Sequence, residues 1–180
     1  MLGKIHVAVV PADQASIGIA RRLRRSLVEI LGLDVSVDQI AGGFPRQAFN
    51  DSRGQYDAYK ILSSFEGIQA GLLLLVTDLD LYCTGLNFCF GLAHRRAAII
   101  SLHRLRPESY GEPRDENLLV LRAEKEAVHE ICHLIGLRHC PSPLCVMHFS
   151  NCIGDTDVKR KLPCDACLER IKSTVIQFNP

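Results

Sequence analysis

Three things are scarce in this chain: net charge, long apolar runs and repeated sequence. Its 21 Lys and Arg stand against 20 Asp and Glu, a formal net charge of +1. That balance offers no basis for binding nucleic acid or an anionic membrane surface. A membrane helix needs about 20 consecutive apolar residues, and the longest run here is Ala70–Val76. The first ten residues alternate in polarity and lack the basic start and long apolar stretch of a signal peptide. No segment in front of them reads as a latency device. These absences lead us to expect a cytoplasmic chain with no nucleic-acid and no membrane partner. The sequence does not set the oligomeric state, and a monomer is the expectation.

With 180 residues and 47% hydrophobic content, the chain can form one domain that buries roughly 70% of its unfolded surface. Residues 4–10 carry Ile5, Val7 and Val9 in alternation and predict a first strand. Ala20, Leu23, Leu27 and Ile30 recur at helical spacing between Ala15 and Leu31, and Gly32 stops that helix. Leu33, Val35 and Val37 alternate again, so strand, helix and strand read as a right-handed βαβ unit. Residues 41–54 read as a loop, and Tyr56–Phe65 as a second helix burying Ala58, Ile61, Leu62 and Phe65. Residues 71–76 are continuously apolar, as a strand buried on both faces should be. Residues 87–93 and 97–102 flank a tight turn and predict a hairpin, one strand of which must run antiparallel. A long helix is expected from Asp115 to Ile135, with Val120, Ala123, Ala127, Ile131 and Leu134 facing the core. The fold class is therefore α/β, with a mixed, mostly parallel sheet, a long helix and a loop-rich end containing cysteines.

The long helix ends in His129-Glu130-Ile131-Cys132-His133-Leu134-Ile135-Gly136-Leu137-Arg138-His139. His129 and His133, four residues apart, project from the same helix face, where one tetrahedral Zn²⁺ can take both imidazoles. Gly136 can adopt positive φ and end the helix, after which His139 can return as third ligand. Three protein ligands leave a position for water, as in a catalytic zinc site. Glu130 would take the proton of that water and pass it to a leaving amine. His129 lies nine residues from Val120, so the histidines should face away from the core stripe into a cleft. The competing reading is a solvated pair of helical histidines.

Cys140, Cys145, Cys164 and Cys167 give Cys-x4-Cys followed by Cys-x2-Cys. Two disulfides or a redox Cys-x2-Cys ahead of a helix are possible; the spacing also suits a closed four-cysteine zinc site. Cys152 falls inside the same region. Cys83, Cys89 and Cys132 read as small buried hydrophobes. The basic run Lys159-Arg160-Lys161 would offset thiolate charge if it folded against the cysteines.

H-E-x-x-H-x-x-G-x-x-H is the metzincin signature of zinc peptidases. The continuation, Cys140 directly after His139, then Cys145, Met147, Cys164 and Cys167, resembles the archaemetzincin family over residues 129–167. The resemblance implies a single metzincin-like catalytic domain, residues 1–139 carrying the sheet and active-site helix. Residues 140–180 would carry a Met-turn at Met147, a structural zinc site and a terminal helix. It implies two zinc ions per chain, one held by His129, His133 and His139 and one by the four cysteines. Cys152 is left out on the resemblance alone. Residues 87–93 would be the antiparallel edge of the cleft, where an extended peptide or protein substrate adds as a strand. The function expected is hydrolysis of peptide bonds by a Glu130-assisted, zinc-bound water. The alternatives are a zinc-binding protein with little turnover, or a hydrolase of small non-peptide amides.

Overall fold

Alternating valines place β1 at His6–Pro11, and the computed structural model describes residues 5–12, 16–38, 44–67 and 71–178 of the chain. Helix α1 spans Ile17–Leu31 and ends where Gly32 takes φ 63°. The expected start at Ala15, the first expected strand residue at position 4 and the expected loop residues 41–43 lie outside the described residues. Strand β2 (Asp34–Val37) then pairs in parallel with β1, completing the βαβ unit.

The stretch read as a plain loop and a helix from Tyr56 differs from expectation. A 3-10 turn at Arg46–Ala48 precedes β3 (Phe49–Asn50), and β4 (Gln55–Asp57) precedes α2, which covers only Ala58–Ser63. Asp57 is the reason for the later start, because its carboxylate accepts from Lys60 N at 3.2 Å and caps the helix. Strand β5 follows at Leu72–Thr77, and β6 (Leu81–Tyr82) joins β3 and β4 in a small sheet ordered β3-β4-β6.

Strands β7 (Gly91–His94) and β8 (Ala97–Ser101) complete the main sheet, ordered β2-β1-β5-β8-β7. All its pairings are parallel except β7 with β8, so the antiparallel strand sits at the edge. The pleat sorts the apolar strands onto two faces. Val7, Val9, Leu74, Val76, Ala98 and Ile100 share a core with α1 and with α3, the helix Glu116–Leu134. Val10, Leu73, Leu75, Ala97 and Ile99 pack with α2 on the other face.

Helix α3 is capped by Asp115, whose carboxylate accepts from Asn117 N at 2.9 Å and Leu118 N at 3.0 Å. Over its second half every residue from Lys125 to Cys132 is buried, on the core side and on the cleft side alike. The loop-rich end holds two further helices, α4 (Ile153–Val158) and α5 (Asp165–Phe178). No helix among the described residues is long and apolar enough to cross a membrane.

Candidate active site

Helix α3 stops in a Schellman arrangement. Gly136, at φ 101°, donates to His133 O at 2.9 Å, and Leu137 N reaches Cys132 O at 3.0 Å. The reversal returns His139 toward the helix it has just left. The centroid of its ring lies 5.3 Å from that of His129 and 4.8 Å from that of His133.

The first two imidazoles are held from behind. His129 Nδ1 lies 2.8 Å from Val146 O, and His133 Nδ1 lies 2.8 Å from Leu137 O. A carbonyl can only accept, so both Nδ1 atoms carry their protons and both Nε2 atoms present lone pairs. Those two Nε2 atoms stand 3.0 Å apart. With no proton to share, the approach suits a common cation, and one donor nitrogen from each of the three histidines lies within 4.8 Å of the others. Burial holds all three imidazoles below the usual range, His129 furthest, which favours the neutral, ligating form.

Glu130 is 5% exposed and lines the same cleft. Burial, and then the neighbouring Glu126 carboxylate, push its proton affinity well up, while Lys159 opposes the shift. Lys159 is wholly buried and stands 2.9 Å from Glu126 Oε1, though not along a hydrogen-bond direction. It lies on the histidine side of the molecule, where its charge also depresses the imidazoles.

The cleft is about 550 Å³, with Phe88, Phe90, Leu92, Leu134 and Phe149 among its apolar walls. Phe149 tilts against His139 with centroids 5.0 Å apart. The antiparallel edge β7 lines it, and the outer side of β7 pairs with no strand among the described residues.

The four cysteines converge separately, all four sulfurs lying within 4.8 Å of one another. Cys140 Sγ is 3.8 Å from Cys164 Sγ, and Cys145 Sγ is 3.7 Å from Cys167 Sγ. A disulfide is about 2.05 Å long, so these are thiols. Two thiolates on one tetrahedral zinc, each about 2.3 Å from it, would stand about 3.8 Å apart. The separation fits that ion. The backbone N–H of Cys167 donates to Cys164 and lowers that thiol to about 7. Cys152 stands elsewhere, exposed at the start of α4, where Asp155 accepts from its backbone N–H at 3.2 Å.

One short segment serves both groups. Cys145 supplies a sulfur, Val146 O fixes His129, and Met147 O accepts from Cys140 N at 2.8 Å. Met147 is wholly buried in a turn closed by His148 N to Cys145 O at 2.9 Å. Sequence reasoning set residues 87–93 at the cleft without singling out Phe88 and Phe90, and it overlooked Phe149 and Glu126, which lies one helical turn before Glu130 on the same face.

The profile of peptidase family M54 matches residues 40–173. The archaemetzincin of Pyrococcus furiosus is 49% identical over 144 residues, covering 74% of this chain and 75% of that one. Among solved structures, an archaemetzincin from Methanopyrus kandleri superposes with a TM-score of 0.84 at 32% identity, over 96% of each chain. A zinc-dependent peptidase from Methanocorpusculum labreanum gives 0.80 at 32% identity, over 92% of this chain and 99% of that one.

Proposed function

Since the chain belongs to peptidase family M54, we propose that it is a zinc-dependent metallopeptidase in which His129, His133 and His139 hold the catalytic ion. One observation carries the reading: three converging imidazoles stand beside a buried carboxylate, all lining a cleft bordered by the edge strand of the sheet. A zinc ion there supplies Lewis acidity to the scissile carbonyl and lowers the pKa of a water toward ~7. The chain's own groups do the rest. The substrate lies extended along β7, whose outward N–H and C=O groups take it as an added strand. Apolar side chains of the substrate face Phe88, Phe90 and Phe149. Glu130 accepts a proton as water attacks the carbonyl carbon, then delivers it to the amide nitrogen as the C–N bond breaks.

A second zinc ion, held by Cys140, Cys145, Cys164 and Cys167, has a structural role, fixing the segment that orients His129. All eight cysteines are free thiols, which suits the reducing cytoplasm proposed for this chain.

The test is turnover of a mixed, quenched-fluorescent peptide library by wild type and by Glu130→Gln. The variant should keep its fold and its zinc while losing roughly 10²-fold or more in rate, as loss of a general base requires. Equal rates would remove Glu130 from the mechanism.

A further inference from the structure

Glycine inside a strand weakens it, so Gly91 in β7 needs a reason. Backbone conformation does not supply one, because Gly91 is not among the positive-φ residues. Space does. A Cβ built on Gly91 would stand 2.6 Å from Glu130 Oε1, 2.8 Å from its Cγ and 3.0 Å from its Cδ. Those separations are well inside van der Waals contact, and they cover three consecutive atoms of the side chain rather than its tip alone. Gly18, which also has ordinary backbone, would meet nothing within 4 Å.

Relief has to come from the carboxylate, which also faces the cleft. Glu130 is buried on a helix whose neighbouring positions, His129 and Ile131, are themselves buried. Gly91 is locked to β8 opposite Ile100, and Phe90 O accepts from Ser101 N at 2.8 Å immediately before it. A methyl group at position 91 would therefore have to displace the carboxylate.

We propose that Gly91 is a positioning residue: its missing side chain is the seat of the Glu130 carboxylate, and it sets how far that carboxylate stands out from α3 beneath the edge strand. The role deepens the peptidase reading and rests on Glu130 being the base. The contact itself is independent of that reading, and the two can be tested apart. The same arrangement couples the substrate's track to the proton acceptor, since β7 both lines the cleft and backs the carboxylate.

The experiment is a four-member cycle of wild type, Gly91→Ala, Glu130→Ala and the double variant, each loaded with zinc and melted under identical conditions. Overpacking a rigid site should lower the midpoint of Gly91→Ala by about 3–8 °C for a chain of this size. In the Glu130→Ala background, where the three crowded atoms are gone, the same substitution should cost at most about 1 °C. Should Gly91→Ala fail to fold, the double variant should still fold. Equal losses in both backgrounds, or failure of both proteins to fold, would overturn the proposal.

Turnover of the peptide library by Gly91→Ala supplies the second arm. With zinc content equal to wild type, kcat should fall by roughly 10-fold to 10²-fold while KM stays within about twofold, as expected for a carboxylate misplaced by an ångström. A wild-type kcat would also overturn it. If wild type cleaves no peptide at all, the peptidase reading fails, and the melting cycle still decides whether Gly91 seats Glu130.

Discussion

Replacing Lys159 by methionine removes a charge that the fold has buried completely. Its ammonium stands 2.9 Å from Glu126 Oε1, and the two side chains are 0% and 4% exposed. After Lys159→Met, Glu126 keeps one polar partner that the structure shows, the Thr156 hydroxyl donating at 3.2 Å. Leaving one member of a buried ion pair uncompensated costs about 3–5 kcal/mol. Unfolding entropy near the midpoint is about 2.1 cal/mol/K per residue, which over 180 residues is about 0.38 kcal/mol/K. The midpoint should therefore fall by about 8–13 °C. Scanning calorimetry of the zinc-loaded proteins at pH 7 reads this directly. Lys159→Met combined with Glu126→Gln should recover most of the loss, because a neutral pair of similar volume carries no stranded charge. A fall below about 3 °C in the single variant, or a double variant no better than the single, would show that Glu126 is compensated by something else.

Three further substitutions test how the third histidine is aimed. Cys140→Ser should weaken zinc binding at the three-histidine group by roughly 10-fold or more, because residue 140 shares a peptide bond with His139. Cys167→Ser, remote from it in sequence, should weaken that group less, and competition with a chromophoric chelator would rank them; equal, wild-type-like affinities would show that the two groups are independent. Gly136→Ala should lower the melting midpoint by about 3–8 °C, since a side chain at φ 101° is strained by about 1–3 kcal/mol. The same chelator titration should show a weakened three-histidine group, and an unchanged melt would mean that the turn relaxes freely.

Much of this architecture is legible in the residues because local and long-range signals agree. Helix α3 has a capping Asp115, a long apolar stripe and a stopping Gly136, and each predicts the same boundaries. The buried strand Leu72–Thr77 announces itself as an apolar run, and the hairpin around Arg95 by its flanking apolar segments, although residues 87–90 are irregular and its first strand begins only at Gly91. Strands β3, β4 and β6 do not, since two or three residues cannot establish a period, and half of the six residues of α4 are glycine or aspartate. The nine-residue step from Val120 correctly turns His129 away from the core stripe. It cannot say that Val146 and its neighbours cover that face, because the cover comes from a turn distant in sequence. The partnership of Lys159 is hidden for the same reason: beside Arg160 and Lys161 it reads as one of three charges available to the thiolates, and only packing assigns it to Glu126.

The segment Cys145–His148 also has a consequence in time. A chain emerging from the ribosome releases His129 and His133 well before Cys164 and Cys167. On the proposed ligand sets, the early histidines cannot complete a hydrolytic centre by themselves. If the two groups are coupled as the Cys140→Ser prediction holds, His139 would wait on Cys140, and Val146 O would reach His129 once Cys145 is anchored by sulfurs that arrive last. On that reading, proteolytic competence would be deferred to the end of synthesis. A nascent or prematurely terminated chain would then carry the signature of a peptidase without its capacity to cut its neighbours.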